Sequence, residues 1–362
     1  MSKFPPPQAD DLAFKSECVT LKGSIPTDQT TCPTDQPGTV AMRILLTTTS
    51  YQDTPGEHHA LLESSGFEVV RERGPLPEDK MLELVTSGGG FDGLLHGDDA
   101  ITRNVIAAAA PRLKVLSKYG IGLDSVDVPA ATEMKIPVLF TPGVNHTTVA
   151  EHTIGLMIML TKHLLVEAIL VKGGQWKRIT GRELAGKTLG ILGLGRIGKE
   201  VAKRARAFDM NVVAYDLYWD EPFAAKHDIA RRDSADAVAT EADVLSMHMN
   251  LTDENREFIN AARITTMKPG AYVINCSRGG LVNEKDVAEA CQSGRLGGYG
   301  ADVLEHEPMQ TPHVFQSIDN IIVTPHIGSR TFESVERQAL RATHNLINFL
   351  KGDKDFIQAN EF

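Results

Sequence analysis

Cysteine is scarce in this chain. The four present, Cys18, Cys32, Cys276 and Cys291, form no CxxC pair, and no Cys/His cluster has zinc spacing. That excludes a disulfide-stapled small fold and a structural zinc module, and no metal site is expected. It also points to a reducing compartment, the cytoplasm. Basic residues are outnumbered by acidic ones, for a net charge of −10. Binding to nucleic acid needs a basic surface, so no such partner is expected. A small anion in a locally basic pocket stays possible. No apolar run reaches the length of a membrane span. The closest, 154–171, is interrupted by Lys162, His163 and Glu167, so no membrane partner is expected.

What is there suits a globular protein of two domains: 362 residues, 42% hydrophobic and 23% charged. Residues 1–41 stand apart, being rich in Pro, Thr, Asp and Gln without periodicity or a continuous apolar stretch. They read as an N-terminal extension and not as a secretory signal. Two alternatives stay open for it, a loosely ordered tail or a segment wrapped onto the body or a partner subunit. From Met42 onward, short apolar runs alternate with helical segments. Runs at 43–47, 67–70, 93–96, 114–117 and 138–140 predict strands, and 56–64, 78–85, 102–109 and 128–133 predict helices. One long helix is expected over about 147–172. The alternation restarts at Thr188, with later strands at 244–248, 272–275, 298–302 and 321–324, and closes on an amphipathic helix over 331–350. The fold class is therefore α/β, with two Rossmann-like domains built on parallel sheets. The second, 146–326, is inserted into a discontinuous first, 42–145 with 327–362.

The most specific motif is Gly193-Leu194-Gly195-Arg196-Ile197-Gly198. It follows the apolar strand 188–192 and opens a helix. About twenty residues on, a second apolar strand ends at Asp216, which completes a dinucleotide fingerprint. Gly193 permits a tight turn, Gly195 a close backbone approach to a pyrophosphate, and Gly198 close packing of helix on strand. Arg196 and Ile197 begin the helix, whose free N–H groups attract phosphates. Asp216 accepts from ribose hydroxyls and repels a 2′-phosphate, and Leu217, Tyr218 and Trp219 offer no cation for one. The expected cofactor is NAD.

Three further stretches stand where strands end, the usual ligand edge of such sheets. They are Asn275-Cys276-Ser277-Arg278-Gly279-Gly280, then Asp302 leading to Glu305-His306-Glu307-Pro308, then Thr324-Pro325-His326-Ile327-Gly328. Hydride transfer to or from a hydroxyl-bearing carbon requires a proton carrier, which a histidine supplies near neutral pH. A carboxylate orients the imidazole, and a guanidinium holds a substrate carboxylate. His326, Glu307 and Arg278 make that set. Taken singly, each also reads as a structural histidine, a capping or solvated glutamate and a turn arginine. Their joint placement at successive strand ends favours the catalytic alternative.

At these residues the chain resembles the D-isomer-specific 2-hydroxyacid dehydrogenase family, over about 43–352. The resemblance implies Arg278 as carboxylate anchor and His326 as general acid/base assisted by Glu307. It implies Asp302 near the nicotinamide carboxamide, with Cys276, Ser277 and Gly328 also on the cofactor side. His146, His152 and His248 read as structural or peripheral, His248 lying toward the cofactor with Thr252. In formate dehydrogenases of similar fold the histidine's partner is typically Gln, so Glu307 argues for a 2-oxo acid. One departure is Asn250, where the family commonly has proline.

The loop Ser117-Lys118-Tyr119-Gly120-Ile121-Gly122-Leu123-Asp124 is implied to receive the substrate carboxylate on its backbone N–H groups. Tyr119, Gly120 and Ile121 are expected at the substrate, and His96 and Gly97 line the same pocket. Lys118 either binds a distal anion or lies solvated at the rim. The implied enzyme is NAD-dependent and dimeric, and interconverts a D-2-hydroxy acid and its 2-oxo acid. Glyoxylate and hydroxypyruvate are the first candidate oxo acids, and 3-phosphoglycerate is the alternative substrate. The chain ends soon after Gly352, so the C-terminal regulatory domain of many phosphoglycerate dehydrogenases is not expected. A different class, an NAD-sensing corepressor-type scaffold, shares the fold and the Arg/Glu/His set. No sign of its peptide groove is visible.

Overall fold

A computed structural model of the chain describes residues 41–362. The extension expected over 1–41 lies, apart from Ala41, outside the described residues. The apolar runs of the first half become β1 Arg43–Leu46, β2 Glu68–Arg71, β3 Gly93–His96, β4 Val115–Lys118 and β5 Val138–Leu139. They pair in parallel in the order β2-β1-β3-β4-β5. The second sheet holds β6 Thr188–Leu192, β7 Asn211–Tyr215, β8 Ile229–Arg231, β9 Val244–Met247, β10 Ala271–Asn275, β11 Leu296–Ala301 and β12 Ile321–Val323. It is parallel throughout, in the order β12-β11-β10-β9-β6-β7-β8. Central strands such as β3, β4, β9 and β10 are buried along their whole length, as strands covered by helices on both faces must be. The chain order reverses between β1 and β3 in one sheet and between β6 and β9 in the other. Those are the crevices where doubly wound sheets take ligands.

The last long helix, Phe332–Lys351, covers the first sheet. Thr331 caps its start, accepting from the Ser334 N–H at 3.3 Å, and Gly352 ends it in the left-handed region at φ +80°. Its buried Ala339, Ala342 and Leu346 pack with Ile44, Leu46, Leu95 and Val115. Ser117 in β4 donates its hydroxyl to the Ala342 carbonyl at 2.9 Å. Beyond the helix, Gln358 bridges Leu139 antiparallel, and Asn360 Oδ1 accepts the Val138 N–H at 2.8 Å.

Several expectations need correction. The single helix over 147–172 is two, His146–Thr161 and Leu164–Lys172, bent by 65° at the break. His163 stands there in the left-handed region at φ 55°, which no continuous right-handed helix contains. The first piece is buried in the second sheet's core through Ile154, Leu156, Met157 and Leu160. The second has no buried residue at all. Among the described residues no single helix is long and apolar enough to cross a membrane. β8 carries no sequence signal, because a three-residue edge strand has only Ile229 buried. Asp302, expected within the strand 298–302, follows β11.

Replacing Leu346 with Ala should cost about 2–5 kcal/mol of stability, the range for a fully buried leucine. Urea denaturation measures it. A loss under about 1 kcal/mol would mean that this helix does not seal the first sheet.

Candidate active site

The carboxyl ends of both sheets meet in a cleft of about 500 Å³. From the first sheet it is lined by Thr47–Ser50 after β1, Gly97–Asp99 after β3, and Lys118–Gly122 after β4. From the second come Cys276–Gly280 after β10, Asp302–Glu305 and Glu307 after β11, and His326, Ser329 and Arg330 after β12.

His326 and Glu307 are brought together. Nδ1 of His326 lies 2.8 Å from Glu307 Oε2, and the imidazole is half exposed to the cleft. Glu307 is held in turn by the Leu304 N–H, donated to Oε1 at 3.0 Å. The bond to Glu307 raises the imidazole above its ordinary pKa, against the opposing effect of burial. Burial pushes the Glu307 carboxyl up, but His326 outweighs it and leaves the group below its usual range. His326 sits at φ 52°, an uncommon backbone for a residue other than glycine. Asp302 holds that turn. Its buried carboxylate accepts the N–H groups of Ile327 at 2.9 Å and Gly328 at 2.7 Å, and the Thr324 hydroxyl at 2.6 Å. His152 donates to or accepts from the same Thr324 hydroxyl at 2.9 Å, a structural place as expected of it.

Arg278 also reaches the cleft. Its backbone is set by Asn275, whose side chain accepts from Ser277 N–H at 3.0 Å and donates to the Arg278 carbonyl at 2.9 Å. Gly279 next to it admits no side chain, since a Cβ would lie 1.9 Å from the Leu304 carbonyl carbon. The guanidinium pairs with Asp124 of the first sheet's loop, Nε at 2.9 Å and Nη2 at 2.8 Å. Sequence reasoning quoted Asp124 without giving it a role. The loop expected to receive a carboxylate has fewer N–H groups to offer than its sequence suggests. Gly120 already donates its N–H to Thr141 Oγ1 at 3.0 Å, which leaves Ile121 and Gly122 to offer theirs. Tyr119 lines the cleft, its hydroxyl 3.4 Å from Ser50 Oγ.

Lys118 is not solvated at the rim. It is 2% exposed, and its ammonium donates to Gly97 O and Asp98 Oδ1, each at 2.6 Å. Its charge is already neutralised inside the wall. His96 does not line the pocket. Its ring is fully buried with Nδ1 at 3.1 Å from Gly97 O, and burial, with Lys118's charge, pushes it down to about 4. His248 likewise turns its ring inward, to Ser246 Oγ at 2.8 Å, and burial pushes it down to about 4. Thr252 caps a surface turn at 253–255 and is not among the cleft-lining residues. Cys276 lines the cleft, but burial raises its thiol to about 12, which leaves it no nucleophile. Ser277 donates its hydroxyl to the Met249 carbonyl. Among the described residues no cluster suits a metal ion.

The residues suit a dinucleotide. Gly193 is in the left-handed region at φ +94°, and a Cβ on it would lie 2.7 Å from the His248 carbonyl. A Cβ on Gly198 would strike the Gly193 oxygen at 2.1 Å, while one on Gly195 would project into open space, where a phosphate must approach. The helix Arg196–Ala207 starts there, with Arg196 exposed and Ile197 on the cleft. Asp216 accepts the Leu194 N–H at 2.5 Å and the Tyr218 N–H at 2.7 Å, so its oxygens stand at the glycine loop. Arg231, from neighbouring β8, lays its guanidinium 5.4 Å over Trp219, a cation the local sequence after Asp216 does not reveal.

Residues 154–328 match the family model described as D-isomer specific 2-hydroxyacid dehydrogenase, NAD binding domain. The chain is 39% identical over 253 residues to a glyoxylate reductase of Thermofilum pendens, covering 68% of this chain and 74% of that one. It is 36% identical to a hydroxypyruvate reductase of Thermotoga maritima, covering 80% and 93%. Among solved structures, the TT0316 protein of Thermus thermophilus superposes with a TM-score of 0.80 at 35% identity, covering 88% of this chain and all of that one.

Asp216→Ala should weaken NADH binding about tenfold, the loss of a hydrogen bond to a charged acceptor, and weaken NADPH binding less. Fluorescence titration reads both. Unchanged NADH affinity would remove Asp216 from the cofactor site.

Proposed function

The chain belongs to the D-isomer-specific 2-hydroxyacid dehydrogenase family, and from that premise we propose that Arg278, His326 and Glu307 carry its chemistry. It is an NAD-dependent oxidoreductase that interconverts a D-2-hydroxy acid and its 2-oxo acid. The observation that supports the residue assignment is the His326–Glu307 pair at 2.8 Å, opening on the same cleft as Arg278. The proposed substrates are small 2-oxo acids, either of the glyoxylate and hydroxypyruvate kind or, as the alternative, with a distal anion as in 3-phosphohydroxypyruvate. The proposed domains are 42–145 with 327–362 for substrate and 146–326 for NAD.

NAD, when bound, supplies the hydride acceptor in one direction and the donor in the other. The glycine loop and Asp216 would hold its pyrophosphate and ribose. Arg278 receives the substrate carboxylate as a fork, together with the N–H groups of Ile121 and Gly122. Asp124 pairs with that guanidinium, so a substrate carboxylate shares or displaces it. Glu307, as a carboxylate, accepts a hydrogen bond from the Nδ1–H of His326, which leaves Nε2 for proton transfer to and from substrate. In reduction, His326 as imidazolium protonates the carbonyl oxygen. In oxidation the neutral ring takes the hydroxyl proton, and Glu307 stabilises the cation that results. Asp302 keeps the ring in place by fixing the turn after it.

The proposal extends to a homodimer in the cytoplasm. Support for the dimer is the helix Leu164–Lys172, with Ile169 60% exposed, followed by Trp176 at 80%. The free thiols of Cys276 and Cys291 suit a reducing compartment.

His326→Ala should lower kcat about 10²–10⁴-fold while NADH still binds. Steady-state NADH oxidation with a 2-oxo acid, beside the titration above, checks this, and near-normal turnover would take His326 out of the proton-transfer role. The pH profile tests Glu307. Reduction needs the protonated ring, so its kcat/KM should fall as pH rises through the raised His326 value, above the ordinary imidazole value of about 6.5. Oxidation should rise over the same range. In Glu307→Gln both limbs should move to lower pH, and a profile that stays where it was would unseat Glu307.

A further inference from the structure

The charges that line the cleft are almost all answered within the chain. Lys118 pairs with Asp98 at 2.6 Å, Arg278 with Asp124 at 2.8 Å, His326 with Glu307 at 2.8 Å, and Glu305 with Arg256 at 3.6 Å. Asp99 accepts the N–H groups of Leu76 and Gly97, and Asp302 those of Ile327 and Gly328. Arg330 is the exception. It lines the cleft and is exposed, and among the described residues its guanidinium meets no carboxylate.

Its position is fixed relative to the proton-transfer histidine. Arg330 follows His326 by one turn of chain, and its N–H donates to the Ile327 carbonyl at 2.8 Å. Asp302 anchors that turn on one side, and the Thr331 cap of the last helix anchors it on the other. Arg330 therefore enters from the loop after β12, while Arg278 enters from the loop after β10. Tyr119, whose hydroxyl lies 3.4 Å from Ser50 Oγ, lines the same cleft, and the carboxylate whose pKa Arg330's charge helps lower, Asp53, is already paired with Arg73 at 2.6 Å. Thr48, in the same loop after β1, is 6% exposed, and its hydroxyl has no hydrogen-bond partner among the described residues. Thr48, Ser50, Tyr119 and Arg330 line the one cleft, and a guanidinium facing the same space as hydroxyl groups is a donor set suited to a tetrahedral or planar oxyanion.

We propose that Arg330 selects the distal group of the substrate: the cleft prefers 2-oxo acids whose chain ends in an anion, and Arg330 receives that anion. A phosphate ester, a sulfonate and a second carboxylate share the required chemistry. The proposal rests on the 2-oxo acid activity assigned above, and it takes from Lys118 the distal-anion role that its sequence position suggested.

The test is NADH oxidation by the purified full chain with 3-phosphohydroxypyruvate, sulfopyruvate and oxaloacetate against hydroxypyruvate and glyoxylate. Wild type, Arg330→Gln and Arg330→Lys are compared, each checked for NADH affinity and melting temperature. Wild type should have its highest kcat/KM on one of the three anion-tailed acids, and which one identifies the anion. In Arg330→Gln the ratio of anion-tailed to neutral-tailed kcat/KM should fall roughly 10–100-fold, mostly through KM, the scale of a lost charged hydrogen bond. Arg330→Lys should recover part of it. A wild type that favours neutral tails, or a ratio that moves less than about threefold in Arg330→Gln, overturns the role of Arg330 and leaves the dehydrogenase assignment standing. No turnover of any of the five acids by wild type that binds NADH would overturn the substrate assignment and this proposal together.

Discussion

A parallel sheet releases every strand on the same edge, because each crossover must return to the opposite edge before the next strand begins. The rest of this molecule depends on that constraint. Among the described residues, the loops that follow β1, β3 and β4 of one parallel sheet and β10, β11 and β12 of the other line a single cleft. Residues as distant in the chain as Ser50, Lys118, Arg278 and His326 become neighbours there without any of them being close in sequence. The helices that cover the faces need only be apolar toward the sheet. The loops are left to carry the chemistry.

Within the cleft, charge is organised by pairing. Two first-sheet loops supply Asp98 and Asp124, which answer Lys118 and Arg278. Lys118 could not stay buried at 2% exposure without such a partner. The Asp124–Arg278 contact is of a different kind, because both groups are partly exposed at the cleft. Asp302 does something else again. Buried, it accepts two consecutive backbone N–H groups and a hydroxyl, and so stabilises a turn in which His326 adopts the left-handed conformation that a histidine rarely takes. The imidazole is therefore positioned by a carboxylate it does not touch and charged by one that it does.

Much of this could be read from the residues in order. The glycines at 193, 195 and 198 and the acid at 216 carry a mechanism in their spacing, and Arg278, Glu307 and His326 could be found by looking where apolar runs stop. What misled were side chains whose direction depends on the opposite wall. His96 and His248 stand at strand ends as sites do, yet both rings turn into the protein, where Gly97 O and Ser246 Oγ hold them. The long helix was misread because the apolar pattern of 154–171 resumes past Lys162, His163 and Glu167. Only the left-handed His163 breaks it.

Periodicity, glycine spacing and the residues at strand ends determined the α/β class and the dinucleotide fingerprint, and singled out His326, Glu307 and Arg278 as the residues proposed for the chemistry. Those are local properties, carried by backbone preference and by residue type. The tertiary structure alone decided which charges are spent and which are free. Lys118 lost its apparent role because Asp98, from another loop, lies 2.6 Å away. Arg330, unremarked in the sequence, lines the cleft and makes no carboxylate ion pair among the described residues. Electrostatic pairing acts through space between loops of different strands, so no reading along the chain contains it.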